Sequence, residues 1–193
     1  METDTMSKLE KVFDTPNKKA FIGFLTAGDP DADSTVQFIL EMEKAGADLI
    51  EIGIPFSDPT AEGVVIQEAN IRSLSNGMTT DGVFEIVKRA REQSEIPLAF
   101  MTYVNPVFHY GYEKFFTKCE ELGISAIIIP DVPYEEKAEV EAPAQTHGVK
   151  VISMIAPTCP SGSIMEIVNT ALSDTIPATD RSINPPLIAI VMP

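Results

Sequence analysis

Short apolar runs alternate along this chain with longer stretches of helical period. The runs at 20–25, 48–52, 98–103, 126–130 and 149–155 read as buried strands. The stretches 34–45, 81–93, 112–122 and 135–146 between them read as amphipathic helices. In 34–45 the apolar Val36, Ile39, Leu40 and Met42 mark one face, while Glu41, Glu43 and Lys44 face water. Two segments repeat one device. EKAGADLIEIGIP (43–55) and EELGISAIIIPDVP (120–133) each run from a helix end through a glycine into a buried strand. Gly46 and Gly123 fit the left-handed position that ends a helix, and each strand then stops at prolines and an acid.

Repeated strand–loop–helix units whose strands are apolar on both faces predict a parallel sheet covered by helices. Five units at roughly 31 residues each leave two architectures open. Eight such units would need about 250 residues, the usual length of a (β/α)8 barrel, so the 193 residues here suit a doubly wound sheet better by length. Against that, FLTAGDPDAD after the first strand is not the glycine-rich phosphate turn of a nucleotide-binding fold. Periodicity alone does not separate the two.

Composition narrows the function more than the fold. A formal charge of −15 argues against nucleic acid or an anionic membrane as partner, because both select clustered Lys and Arg. No apolar run reaches the roughly 18 residues a bilayer span requires, and residues 1–13 are charged rather than signal-like. The expectation is a soluble cytoplasmic protein. The two cysteines, Cys119 and Cys159, form no CxxC pattern and read as reduced, non-nucleophilic thiols. His109 and His147 stand 38 residues apart outside any ligand motif, so no metal site is expected. His147 fits a helix C-terminus.

Ligands bind at the carboxyl ends of parallel strands in either architecture. The chemistry-bearing residues there are Thr26, Asp29, Glu51, Ser57, Asp58, Glu62, Tyr103, Asn105 and Asp131. Glu51 stands out because it lies within a strand, where burial raises a carboxyl pKa toward use as an acid. A structural carboxylate bonded to backbone N–H or to a neighbouring hydroxyl is the equal alternative. Glu62 alone would be an ordinary loop acid. The stiff Pro55-Phe56-Ser57-Asp58-Pro59 link can fold it back over the strand ends toward Glu51.

These residues carry a family resemblance. FLTAGDPD (24–31), AGADLIEIGIPFSDPTAEGVVIQEAN (45–70), LAFMTYVNPVFHYG (98–111), IIIPDVPYEE (127–136) and MIAPT (154–158) are together similar to the α subunit of tryptophan synthase, in that family's order and spacing. The resemblance implies a (β/α)8 TIM barrel, here an incomplete one of about five to six βα units. It also implies a lyase that splits indole-3-glycerol phosphate into indole and glyceraldehyde 3-phosphate by a retro-aldol step in tryptophan biosynthesis. Glu51 would protonate the indole carbon where the bond breaks, and Glu62 would receive or balance the indole N–H proton. Phe24, Met101, Tyr103, Ile128 and Met154 would line the indole pocket, although ordinary core is the preferred reading of Ile128 and Met154. Asp58 would belong to the loop that closes the site and signals to the partner. Asp131 would brace that loop, or else cap the helix that follows it. The implied partner is a β subunit, in an α2β2-type complex. It carries the pyridoxal phosphate, so no cofactor is expected in this chain.

Two departures from the family qualify this. Its second acid is typically Asp, and here it is Glu62, one methylene longer. The chain is also expected to be truncated at its C-terminus, with residues 1–172 a partial barrel that includes a helix at 163–172. Residues 173–193 would be a divergent tail, either disordered or a makeshift edge strand at 187–191. The family binds phosphate on glycine-rich loops beyond the sixth strand, whereas the last glycine here is Gly162. The alternative to an active lyase is therefore an inactive fragment or relict that binds the β subunit or self-associates without turnover.

Overall fold

A computed structural model describes residues 8–13 and 19–154 of the chain. Five strands, β1 (Ile22–Thr26), β2 (Leu49–Gly53), β3 (Leu98–Met101), β4 (Ile124–Ile128) and β5 (Lys150–Ile152), pair in parallel in the order β1-β2-β3-β4-β5. A doubly wound sheet reverses its strand order at a switch point. No reversal occurs across these five, so the sheet has the winding of a barrel wall and the ambiguity left by periodicity is resolved. The helix at 163–172, the tail with its strand at 187–191, and Cys159 lie outside the described residues.

Among the described residues seven α-helices accompany the sheet: α1 (Lys8–Phe13), α2 (Ala32–Lys44), α3 (Val64–Ser75), α4 (Thr80–Arg91), α5 (Val104–Tyr110), α6 (Tyr112–Glu121) and α7 (Ala138–Thr146). The period-3.6 stretches became α2, α4, α6 and α7, with a single 3-10 turn at Tyr134–Glu136 preceding α7. The Asp31 side chain accepts from the Ser34 N–H at 2.7 Å to start α2, and Thr79 accepts from Gly82 at 3.1 Å to start α4. Gly46 and Gly123 leave α2 and α6 with φ of 96° and 64°, the left-handed conformation expected of them.

Sequence periodicity did not reveal α1, α3 or α5. Helix α1 has only six residues. Helix α5 has seven, with Pro106 in its first turn, where a missing N–H costs nothing. The pattern of α3 is inverted: it buries Ala69, Asn70 and Ser73 while Val64, Val65 and Ile71 face outward.

The two faces of the sheet are packed differently. Ile50, Ile52, Leu98, Phe100 and Ile127 meet the helices, where Val83, Phe84 and Val87 of α4 join Phe115 and Phe116 of α6. Phe84 stands 5.6 Å from Phe100 and 5.3 Å from Phe115, ring centre to ring centre, in edge contacts. The opposite face, which a barrel turns inward, holds a small cluster of Leu49, Ala99 and Ala126. Leu9 of α1 joins that cluster, so α1 covers the foot of the inward face. Cys119 is buried in the helix-side core, where desolvation raises its thiol pKa far above the ordinary range.

Candidate active site

Parallel pairing decides which side chains share the inward face. Phe24, Glu51, Ala99 and Ala126 stand in register across β1 to β4. One step nearer the carboxyl ends, Thr26, Gly53, Met101, Ile128 and Ile152 form the next row. Five residues singled out from the sequence, Phe24, Thr26, Glu51, Met101 and Ile128, therefore meet on one surface at the end where barrel enzymes bind ligands.

Glu51 is only part-buried, although its neighbours Ile50 and Ile52 are fully buried on the other face. Desolvation raises its pKa above the ordinary glutamate value, and no hydrogen bond among the described residues offsets that. The structural alternative, a carboxylate tied to backbone N–H, is not what the described residues show. An acid in this setting holds its proton more readily than a free glutamate and can give it to a substrate. Its in-register neighbours are Phe24 on β1 and the small Ala99 on β3. A Cβ at Gly53 would lie 2.8 Å from Cζ of Phe24, so the Phe24 ring lies across the glycine.

Glu62 lies in the loop between β2 and α3. Asn70, only 3% exposed, donates its Nδ2 to Glu62 Oε2 at 2.6 Å. Gln67 Nε2 donates to the Glu62 backbone carbonyl at 2.8 Å. Burial raises the Glu62 pKa, while hydrogen bonds from Asn70 and the Tyr103 hydroxyl act against that rise. Both candidate acids are thus shifted upward, but only Glu62 has donors that favour its charged form. This difference in partners separates the two environments.

Tyr103 is 2% exposed and closes the end of β3. Its hydroxyl accepts from the Ala61 N–H at 3.0 Å and its ring lies 5.5 Å from Phe56, so it anchors the loop that carries Glu62. The sequence reading had made it a pocket wall only. Asp131 does not cap the helix that follows it. Its Oδ1 accepts from the Val104 N–H at 2.9 Å and so caps α5, the helix of the preceding unit. Asp58 is exposed and takes a hydrogen bond from its neighbour Ser57 at 2.5 Å. Asp58 and Asp131 share no hydrogen-bond partner among the described residues. Met154, at the end of the described chain, lines a shallow pocket with Val140 and Lys137 beside β5.

Sequence reasoning gave no role to Asn70, Gly53 or Arg72. Arg72 forms a two-pronged pair with Asp29, both contacts at 2.8 Å, which holds the Asp29 pKa below the ordinary value. Ser73 donates to the Ala27 carbonyl at 2.6 Å. Together they fasten α3 to the loop after β1. No apolar stripe in the sequence announces α3, which buries Ala69, Asn70 and Ser73 while its valines face outward. Among the described residues no group of three His, Cys, Asp or Glu is arranged to hold a metal ion, and no helix is long and apolar enough to cross a membrane.

Comparison with known proteins agrees with this geometry. The family model described as tryptophan synthase alpha chain matches residues 11–174. The tryptophan synthase alpha chain of Alkaliphilus metalliredigens is 47% identical over 155 residues, covering 80% of this chain and 58% of that relative. The one from Lacticaseibacillus casei is 43% identical over 171 residues, covering 89% and 63%. Among solved structures, the alpha subunit from Legionella pneumophila superposes with a TM-score of 0.81 at 36% identity, over 85% of this chain and 64% of that one. A chain of the Pyrococcus furiosus tryptophan synthase complex gives 0.74 at 38% identity, over 78% and 62%. The chain spans about three fifths of the length of these curated relatives. It belongs to the tryptophan synthase alpha chain family.

Proposed function

We propose that the inward face around Glu51 and Glu62 carries out the retro-aldol cleavage of indole-3-glycerol phosphate to indole and glyceraldehyde 3-phosphate. The observation that carries the reading is the Glu51 carboxyl. It is desolvated, has no hydrogen-bond partner among the described residues, and stands in one row with Phe24 and Ala99 at the ligand-binding end of the sheet.

The bond to be broken joins the indole ring to a carbon bearing a hydroxyl. Protonating the ring carbon at that bond, by Glu51, makes the ring an electron acceptor. Positive charge then builds on the indole nitrogen, and an ionised Glu62 balances it or takes the N–H proton, which it returns to the nitrogen as the bond breaks. As the bond breaks, its electron pair moves into the ring and the hydroxyl loses its proton to become the aldehyde. The carboxylate that Glu51 has become can accept that proton. Two glutamates in unlike settings thus divide the acid and base roles. Phe24, Met101 and Ile128 supply an apolar wall for the ring.

By the same family reading the partner is a β subunit, which uses pyridoxal phosphate to consume the indole, and this chain needs no cofactor of its own. The biosynthetic role suits a cytoplasmic protein. The direct test is indole release from indole-3-glycerol phosphate by the purified chain, alone and with a β subunit. Release in either arm supports the reading. A folded chain that binds the β subunit but releases no indole in either arm contradicts it and favours binding without turnover.

A further inference from the structure

Helix α3 is built with its polar side inward. Asn70 stands in the middle of the helix and is almost fully buried, although asparagine is a poor helix former and is seldom buried without a partner. A buried amide at such a position needs a reason, and its Nδ2, 2.6 Å from Glu62 Oε2, supplies one. The turn that carries it is fixed independently of the loop. The Arg72–Asp29 pair and the Ser73 bond to the Ala27 carbonyl attach the next residues of α3 to the end of β1. Asn76 adds a bond to the Pro30 carbonyl at 2.7 Å. The amide therefore presents its N–H from a rigid mount, while Glu62 reaches it from an otherwise part-exposed loop.

We propose that Asn70 is the positioning residue of Glu62, its buried side-chain amide setting where the longer carboxylate of this chain points, with α3 clamped to the loop after β1 as the mount. Asn70 does not touch substrate in this account; it acts through Glu62. The groups that bear on the Glu62 carboxyl among the described residues are Asn70 from α3 and Tyr103 from the end of β3. The Tyr103 hydroxyl also accepts from the Ala61 N–H of the loop that carries Glu62, whereas Asn70 donates to Glu62 from a helix fastened to the end of β1. The extra methylene extends the carboxylate to a donor that does not move with the loop.

The inference depends on the lyase reading for its catalytic consequence, and its first test does not. In the wild-type chain, the Asn70 side-chain amide resonances and the Glu62 carboxyl carbon are followed by NMR through an acid titration. The expected result is a common midpoint for both, with the amide response abolished in Glu62→Gln. Amide resonances that stay flat while the Glu62 carbon titrates overturn the proposal. Asn70→Ala, with unchanged near-UV circular dichroism, is expected to raise the Glu62 midpoint by about one pH unit, and Asn70→Asp by more, because a like charge then faces it. A midpoint unmoved by Asn70→Ala also overturns it. If Asn70→Asp does not fold, the alanine variant and the wild-type titration decide. In turnover, Asn70→Ala is expected to lower kcat about tenfold, with KM little changed and the acid limb of the pH–kcat profile moved upward. Absence of indole release from the wild type defeats the lyase reading alone, and leaves the two titrations to judge the role of Asn70.

Discussion

Replacing Arg91 by alanine withdraws four donations from one side chain. Its guanidinium reaches the carbonyls of Ile96 at 2.6 Å, Leu122 at 2.9 Å, Gly123 at 3.0 Å and Ser94 at 3.4 Å. These carbonyls lie on two separate turns, one leading into β3 and the other into β4. The residue therefore ties the foot of two neighbouring units together. Hydrogen bonds to a charged donor contribute about 1.5–3 kcal/mol each when water is excluded. The three shorter ones are not additive, and the bond to Gly123 is exposed enough for water to replace it. A net loss of about 3 kcal/mol is the resulting expectation. With a urea m-value of about 2 kcal/mol/M, the unfolding midpoint should fall by about 1.5 M with m unchanged. Arg91→Lys should recover little, because an ammonium is a point donor and cannot span two turns. The loss should persist at about 0.5 M salt, where the lost cation's long-range attraction is screened. A midpoint shift under about 0.3 M, or full recovery by lysine, would refute the reasoning and show that water satisfies these carbonyls as well as Arg91 does.

Three further outcomes follow from other groups. Burial raises the Glu51 pKa, so its ionisation costs stability as pH rises from the ordinary glutamate value of 4.5 through the folded value. Glu51→Gln should therefore be more thermostable than wild type near neutral pH, with the gap closing in acid; an equal gap at both ends of a thermal series would contradict this. His147 donates from Nδ1 to Glu120 at 2.7 Å and faces Glu113 at 3.4 Å, bonds that raise its pKa. Its stabilisation is complete below about pH 6.5 and is lost as pH climbs through the raised folded value. His147→Gln should accordingly show less decline in melting temperature over that interval, and an identical decline would remove His147 as its source. Gly53→Ala should displace the Phe24 ring and cost about 1 kcal/mol in urea unfolding, and Phe24→Leu should restore part of it. Strictly additive effects of the two changes would show that the ring and the glycine do not meet.

The sheet was legible because its signal is local. Each strand is a short apolar run, β2 closing at Gly53 and β4 stopping just before Pro130, and α2, α4 and α6 bury one face with the expected period. Length pointed weakly the wrong way, and the order of pairing was not readable from any single unit. Glu51 could be found because an acid inside an apolar run breaks the pattern, and its neighbour Phe24 came from the family resemblance. Asn70 and Arg72 could not be found in the same way. Their partners, Glu62 and Asp29, lie 8 and 43 residues away, and α3 lacks the apolar stripe that announces a helix. Of the two readings of Asp131, the cap on the following helix gives way to a cap on α5. An acid ahead of a helix reads as that helix's cap, but the parallel sheet brings the start of α5 alongside it first.

The most direct measurement on the central claim compares indole release by wild-type and Glu51→Gln chains, each with its substrate affinity determined separately. The account predicts that Glu51→Gln binds indole-3-glycerol phosphate within about threefold of wild type while its turnover falls at least about 100-fold. Turnover within a few-fold of wild type would contradict it, because the proton at the breaking bond would then come from elsewhere.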